Sequence, residues 1–137
     1  MPTNCKTAIA NFEAKHECNA SEAKDVKLIG CIPCIEKMDD SLGVLEACEK
    51  LSMSTNSINR IASLSKLKNL KILSLGRNNI SRIIGLDDVG STLEELWLSY
   101  NQIDKLDGLQ PCVKLHTLFL SNNKISKWDE VSKLGQL

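Results

Sequence analysis

Cys31-Ile-Pro-Cys34 is a pair of soft ligands at a spacing that chemistry uses. Such a pair works as a redox couple where it opens a helix after a strand, and holds zinc where a second ligand pair completes a tetrahedron. His16 and Cys18 lie upstream, but their spacing fits no zinc pattern. The cysteines therefore read as reduced structural thiols, with Cys48 and Cys112 as small buried apolar residues. The histidines are His16 and His116, and no Ser or Cys nucleophile is patterned with a His and a carboxylate. Asp87-Asp88 and Glu94-Glu95 read as solvated acids. Gly76 and Gly85 are isolated, so no glycine-rich phosphate loop is formed. Neither catalysis, nor a metal, nor a cofactor is expected.

The chemistry that remains is that of contact, and the elements that position it recur along the chain. A Leu-x-Leu-x-x-Asn-x-Ile motif returns as Leu51 to Ile58, Leu73 to Ile80, Leu96 to Ile103 and Leu118 to Ile125, with Met53 in one Leu position. Steps of about 22 residues are the signature of a leucine-rich-repeat solenoid, in which each repeat lays one strand beside the next along a concave parallel sheet. The expected fold is therefore α/β, with short helical or 3₁₀ segments on the convex side and an N-terminal helical cap. Residues 1–20 read as that cap, 21–44 as a degenerate first repeat, and 45–137 as four regular repeats with a fifth begun at Leu137. In the degenerate repeat, Ser21 is expected to cap a turn. Val26 to Ile29 is the expected first strand, and Ile32, Ile35 and Met38 continue an apolar series. An end with no cap beyond Leu137 would expose core and invite self-association.

Each regular repeat adds apolar slots at three-residue spacing. Ile61, Ile83, Leu106 and Trp128 share the first, so Trp128 is expected in the core. Leu64, Leu86, Leu109 and Val131 share the second, and Leu67, Val89, Cys112 and Leu134 the third. Cys48, Leu70, Leu93 and Leu115 share the last. The extra residue near Asp88 to Thr92 falls on the outer face. The Asn56, Asn78, Asn101 and Asn123 column reads as structural, an amide that satisfies backbone groups at a bend.

Alternation along each strand sends the Leu positions inward and the residues between them to the concave solvent. That central column reads Ser52, Ser74, Trp97, Phe119. The chain has five aromatic residues, and Trp97, Phe119 and Tyr100 all fall at solvent-facing positions of two adjacent strands. Strands lie about 4.8 Å apart, so Trp97 and Phe119 should touch. With Ile72 they would make a patch of about 300 Å², a size that marks contact sites. Arg77, Ser99 and Asn122 border it, and Trp, Tyr and Arg are the usual anchors of protein interfaces.

Length and charge set the remaining bounds. A chain of 137 residues is expected to form one domain. Seventeen basic residues balance 17 acidic ones, which argues against binding dominated by nucleic-acid phosphate. No apolar run approaches a membrane span, and the N-terminus lacks the apolar core of a signal peptide. An intracellular protein without membrane contact is expected.

The strings Leu73-Ser-Leu-Gly-Arg-Asn-Asn-Ile80 and Leu93-Glu-Glu-Leu-Trp-Leu-Ser-Tyr-Asn101 are far more specific than the Leu/Asn frame. With Ile35-Glu-Lys-Met-Asp and Cys48-Glu-Lys-Leu-Ser they make residues from about Ser21 to Leu134 resemble the leucine-rich-repeat light chains of outer-arm axonemal dynein. The resemblance implies a non-catalytic subunit in the cytoplasm and cytoskeleton, at the axoneme of a cilium or flagellum. Its expected partner is a dynein heavy chain, near the microtubule-binding tip of the stalk, with tubulin as a further contact. The family's apolar sheet face carries over to Trp97, Tyr100 and Phe119. The resemblance also implies a further repeat and a basic terminal helix after the part matched here. Two rival classes share the frame: a repeat-protein regulator of protein phosphatase 1, and an RNA-particle repeat protein.

Overall fold

The computed structural model describes residues 2–132, with side chains described through residue 130. Helix α1 (Cys5–His16) comes first. Five three-residue strands follow: β1 (Asp25–Lys27), β2 (Lys50–Ser52), β3 (Ile72–Ser74), β4 (Glu95–Trp97) and β5 (Thr117–Phe119). They form one parallel sheet in sequence order. A short helix α2 (Trp128–Ser132) ends the described chain. Single 3₁₀ turns at Asp40–Val44 and Asp87–Val89 lie between strands. This is the expected leucine-rich-repeat solenoid.

The asparagine column explains why the repeats stack in register. Asn78 Oδ1 accepts from the Ile58 backbone N–H of the preceding repeat at 3.0 Å. Its Nδ2 donates to Met53 O, also in the preceding repeat, at 3.1 Å and to Leu75 O of its own at 3.0 Å. Asn56, Asn101 and Asn123 repeat the pattern, bonding Ile35 N, Ile80 N and Ile103 N. Each side chain thus ties two rungs together where neither has a ladder bond to offer.

Cys31 stands where the degenerate repeat lacks its asparagine. Its thiol donates to Leu28 O at 3.5 Å, the counterpart of the bond from Asn78 to Leu75. Four steps then separate Cys31 from Ile35, against two from Asn56 to Ile58. The extra chain bulges outward, which corrects the expected apolar series: Ile32 is 95% exposed. The cap of the 3₁₀ turn before β1 (Ala20–Glu22) is Asn19, whose side chain accepts from Ser21 N, and not Ser21 itself.

The expected core slots from Ile35 to Cys112 are buried, and Ala8, Ile9 and Phe12 of α1 close the first rung. Trp128 is a second correction. It is 86% exposed, because the chain coils into α2 there and turns the indole away from the core. Glu130 on that helix reaches back instead, its carboxylate accepting from Leu106 N at 2.8 Å. The Val131, Leu134 and Leu137 assignments and the start of a fifth repeat lie outside the described side chains. The extra residue near Val89 leaves the sheet undisturbed, since Ile72 still pairs with Glu95. At Gly108, φ is +101° and a Cβ would meet Ile83 O at 1.7 Å, so the chain passes against the preceding rung only because no side chain is there.

Two measurements test this architecture. Replacing Asn78 by Ala strands the buried Ile58 N–H and takes one of two amide donors from Met53 O and Leu75 O, so urea denaturation should give a loss of about 3 kcal/mol, and about half that for the less buried Asn123→Ala. Burial also pushes the Cys48 thiol up to about 12 and the Cys5 thiol up to about 11, from an ordinary 9.0. The folded protein then holds these protons more tightly than the unfolded chain. Stability should be intact below about pH 9 and fall above it by about 1 kcal/mol per pH unit per thiol. Melting between pH 8 and 11 should show a shallower fall in Cys48→Ala.

Candidate protein-binding surface

The concave face is the sheet surface left after the Leu positions turn inward. Leu51, Leu73 and Leu96 are fully buried, so their neighbours along each strand must face outward. Parallel register sets Trp97 beside Ser74 on one side and Phe119 on the other. The two ring centroids lie 4.2 Å apart at an interplanar angle of 35°. Trp97 is 41% exposed and Phe119 42%, so the pair shields only part of its own surface. The indole Nε1 donates to Glu95 Oε1 at 3.3 Å, which fixes the ring against its own strand.

A backbone feature that sequence reasoning did not anticipate shapes the rim. Thr55, Arg77, Tyr100 and Asn122 all have φ between 56° and 61°. These left-handed residues precede the motif asparagines and turn the chain out of the sheet. Side chains there stand on a ridge above the concave floor. Arg77 lies over the Tyr100 ring at 4.2 Å from its centroid, a cation–π contact that presents the tyrosine while leaving it 46% exposed. The sequence signal was the position before each Asn, recognisable only once the bend is known.

The structure therefore pairs Trp97 with Phe119 and Arg77 with Tyr100 on adjoining rungs. Ser99 borders them, its hydroxyl accepting from Ser121 Oγ at 3.0 Å. Asn122 is exposed on the ridge and Ile72 is half-buried one strand away from Trp97. Ser52 differs from expectation. It is 5% exposed, a short side chain paired with the longer Lys27. Exposed apolar rings above a floor of small polar groups can exclude water from a partner, and an arginine at the rim can orient it. Among the described residues, no group of three or more His, Cys, Asp or Glu could hold a metal ion. Burial raises the Cys31 thiol, and its Cys34 neighbour adds to the rise, the opposite of an activated thiolate. No helix among the described residues is long and apolar enough to cross a membrane.

This is the architecture of a leucine-rich-repeat protein, and residues 91–133 match the family described as Leucine Rich repeats (2 copies). Over 135 residues the chain is 53% identical to dynein axonemal light chain 1 of Chlamydomonas reinhardtii, covering 98% of this chain and 68% of that one. The Xenopus laevis protein of the same name is 56% identical and 70% covered. The chain belongs to the dynein axonemal light chain 1 family. It spans about half the length of the Ciona intestinalis relative, at 58% identity over 94 residues. Among solved structures, the Drosophila melanogaster SNF/U2A' complex aligns with a TM-score of 0.70 at 28% identity, over 81% of this chain and 66% of that one. An internalin C2 of Listeria monocytogenes aligns at 0.68 and 26%, over 83% and 49%.

Because Ser52 and Ser74 serve the same column, the fold has no need of aromatics there. Trp97→Ser and Phe119→Ser should each cost less than about 1 kcal/mol in urea denaturation, whereas Leu96→Ala beside them should cost about 3 kcal/mol. Equal losses would make the rings part of the core.

Proposed function

We propose that this protein is a non-catalytic light chain of ciliary or flagellar outer-arm dynein. In this reading it binds the dynein heavy chain near the microtubule-binding tip of the stalk and modulates the engagement of motor and microtubule. Its place is the axoneme, within the cytoplasmic cytoskeleton. Family membership supplies the dynein assignment. The observation that carries the mode of binding is the exposed Trp97–Phe119 pair beside an arginine-backed Tyr100.

The proposed mechanism is mechanical. The two stacked rings enter a cleft of the heavy chain, and burying their exposed parts contributes several kcal/mol at about 25 cal/mol per Å². Tyr100 and Arg77 set the orientation, with Ser99, Asn122 and Ile72 at the margin. Once docked, the solenoid's bulk and charge bias the stalk's affinity for the microtubule, and direct contact with tubulin would add to that bias. Relatives at 53% and 56% identity bear the dynein name, which outweighs the 28% likeness to the Drosophila melanogaster SNF/U2A' complex.

Titration against a recombinant outer-arm stalk tip tests this reading. The Trp97→Ala/Phe119→Ala variant, with unfolding checked, should bind at least about 30-fold more weakly, about 2 kcal/mol. Unchanged affinity would move the docking site off the concave face. Co-sedimentation with microtubules, with and without the stalk tip, separates a tubulin contact from one made through the heavy chain.

A further inference from the structure

The neutral total conceals a polarised chain. Residues 50–86 hold seven basic residues and no carboxylate, so the rest of the chain carries ten cations against all 17 acids. Of these seven, Lys71 is the one in an ion pair among the described residues. Lys71 lies 3.7 Å from Glu49, which also faces Lys24 at 3.9 Å. One column keeps a single sign through every rung. Two residues after each motif Ile, every rung carries a cation: Lys37, Arg60, Arg82, Lys105 and Lys127. All five are exposed, and none is in an ion pair among the described residues.

The column is held in register by backbone bonds just before it. Ser57 N donates to Ile35 O, Asn79 N to Ile58 O, Gln102 N to Ile80 O and Lys124 N to Ile103 O, at 2.7–2.8 Å. The cations therefore recur about every 4.8 Å along one side of the solenoid. Acids flank the ends of this ridge: Glu36 and Asp39 at one, Asp104, Asp107 and Asp129 at the other. Asp39 is engaged with Cys5 N and Ser41 N. At the centre the positions equivalent to Asp39 and Asp107 are Ala62 and Ile84, so the rungs of Arg60 and Arg82 have no carboxylate at that position. Asn59, Ser57, Asn79 and Ser81 surround them with amides and hydroxyls.

We propose that this ridge is a second docking surface, distinct from the concave face, for an extended polypeptide segment rich in Asp and Glu. Arg60 and Arg82 take two of its carboxylates through their planar forks, and the amides and hydroxyls beside them meet its backbone. The five-rung column spans about 19 Å, the length of about 6 extended residues. A single-stranded nucleic acid would want an aromatic platform along the strand, and the ridge has one aromatic, Trp128, at its end. The proposal does not rest on the dynein reading.

Fluorescence anisotropy tests it with a labelled oligo-glutamate of about 12 residues, twice the length the ridge needs, in about 50 mM salt where surface charge is least screened. Saturable binding is expected. Arg60→Gln/Arg82→Gln should weaken it at least 10-fold, and Arg60→Lys/Arg82→Lys should weaken it several-fold because charge without the fork is poorer. Lys66→Gln/Lys68→Gln removes the same charge elsewhere in the basic band and should change it less than 2-fold. Trp97→Ala/Phe119→Ala should leave it unchanged, which separates this surface from the concave one. No saturable binding, equal losses in the two glutamine pairs, or tighter binding of oligo-uridylate than of oligo-glutamate would each overturn the proposal.

Discussion

A parallel sheet of three-residue strands cannot hold a chain in register by its ladder alone, and the buried asparagine at each bend supplies what the ladder lacks. Its carboxamide has both donor and acceptor, so one side chain can answer an N–H in the preceding rung and carbonyls in two rungs at once. The Leu51–Leu73–Leu96 core then stacks at one fixed pitch. Without the asparagines, each strand-to-bend junction would bury unpaired backbone, at a cost comparable to the whole margin by which a small domain is stable. The first rung meets the same demand with less, since Cys31 offers a single weak donor.

Because that constraint consumes the inward residues and the bend, it leaves the outward positions chemically free. Ser52 and Ser74 meet the needs of the central concave column, and Trp97 and Phe119 occupy it further along with no folding role that serine does not fill. The left-handed residue before each asparagine is a related consequence. It lifts Thr55, Arg77, Tyr100 and Asn122 onto a ridge, where Arg77 can support Tyr100 from the neighbouring rung. The two exposed pairs thus span three rungs, with Arg77 and Phe119, 42 positions apart in the chain, at the extremes.

Charge follows the same logic of columns. Stacking brings position k of every repeat into line, so a residue type that recurs once per repeat becomes a continuous stripe. Glu94 lies against His116, while Lys24, Glu49 and Lys71 alternate in sign and pair with one another beside the sheet. Lys37, Arg60, Arg82, Lys105 and Lys127 keep one sign and do not. A net charge of zero therefore says little about what either edge would attract, since fields near a surface depend on local arrangement.

The repeat frame, the buried slots through Cys112 and the exposure of Trp97, Tyr100 and Phe119 were legible in the sequence, because strand alternation and a fixed period are local rules that survive any tertiary context. The resemblance of Leu93 to Asn101 to a known family was equally local. Departures came where the period breaks. Two extra residues after Cys31 sent Ile32 into solvent, and a helical turn at Trp128 rotated an apparent core residue outward. Cys31 could be recognised as an asparagine substitute only when Leu28 O was found within its reach. Contacts between rungs, such as Arg77 over Tyr100 or the alignment of Arg60 with Arg82, were decided by the tertiary structure, because they depend on the pitch and register of stacking and not on any one repeat.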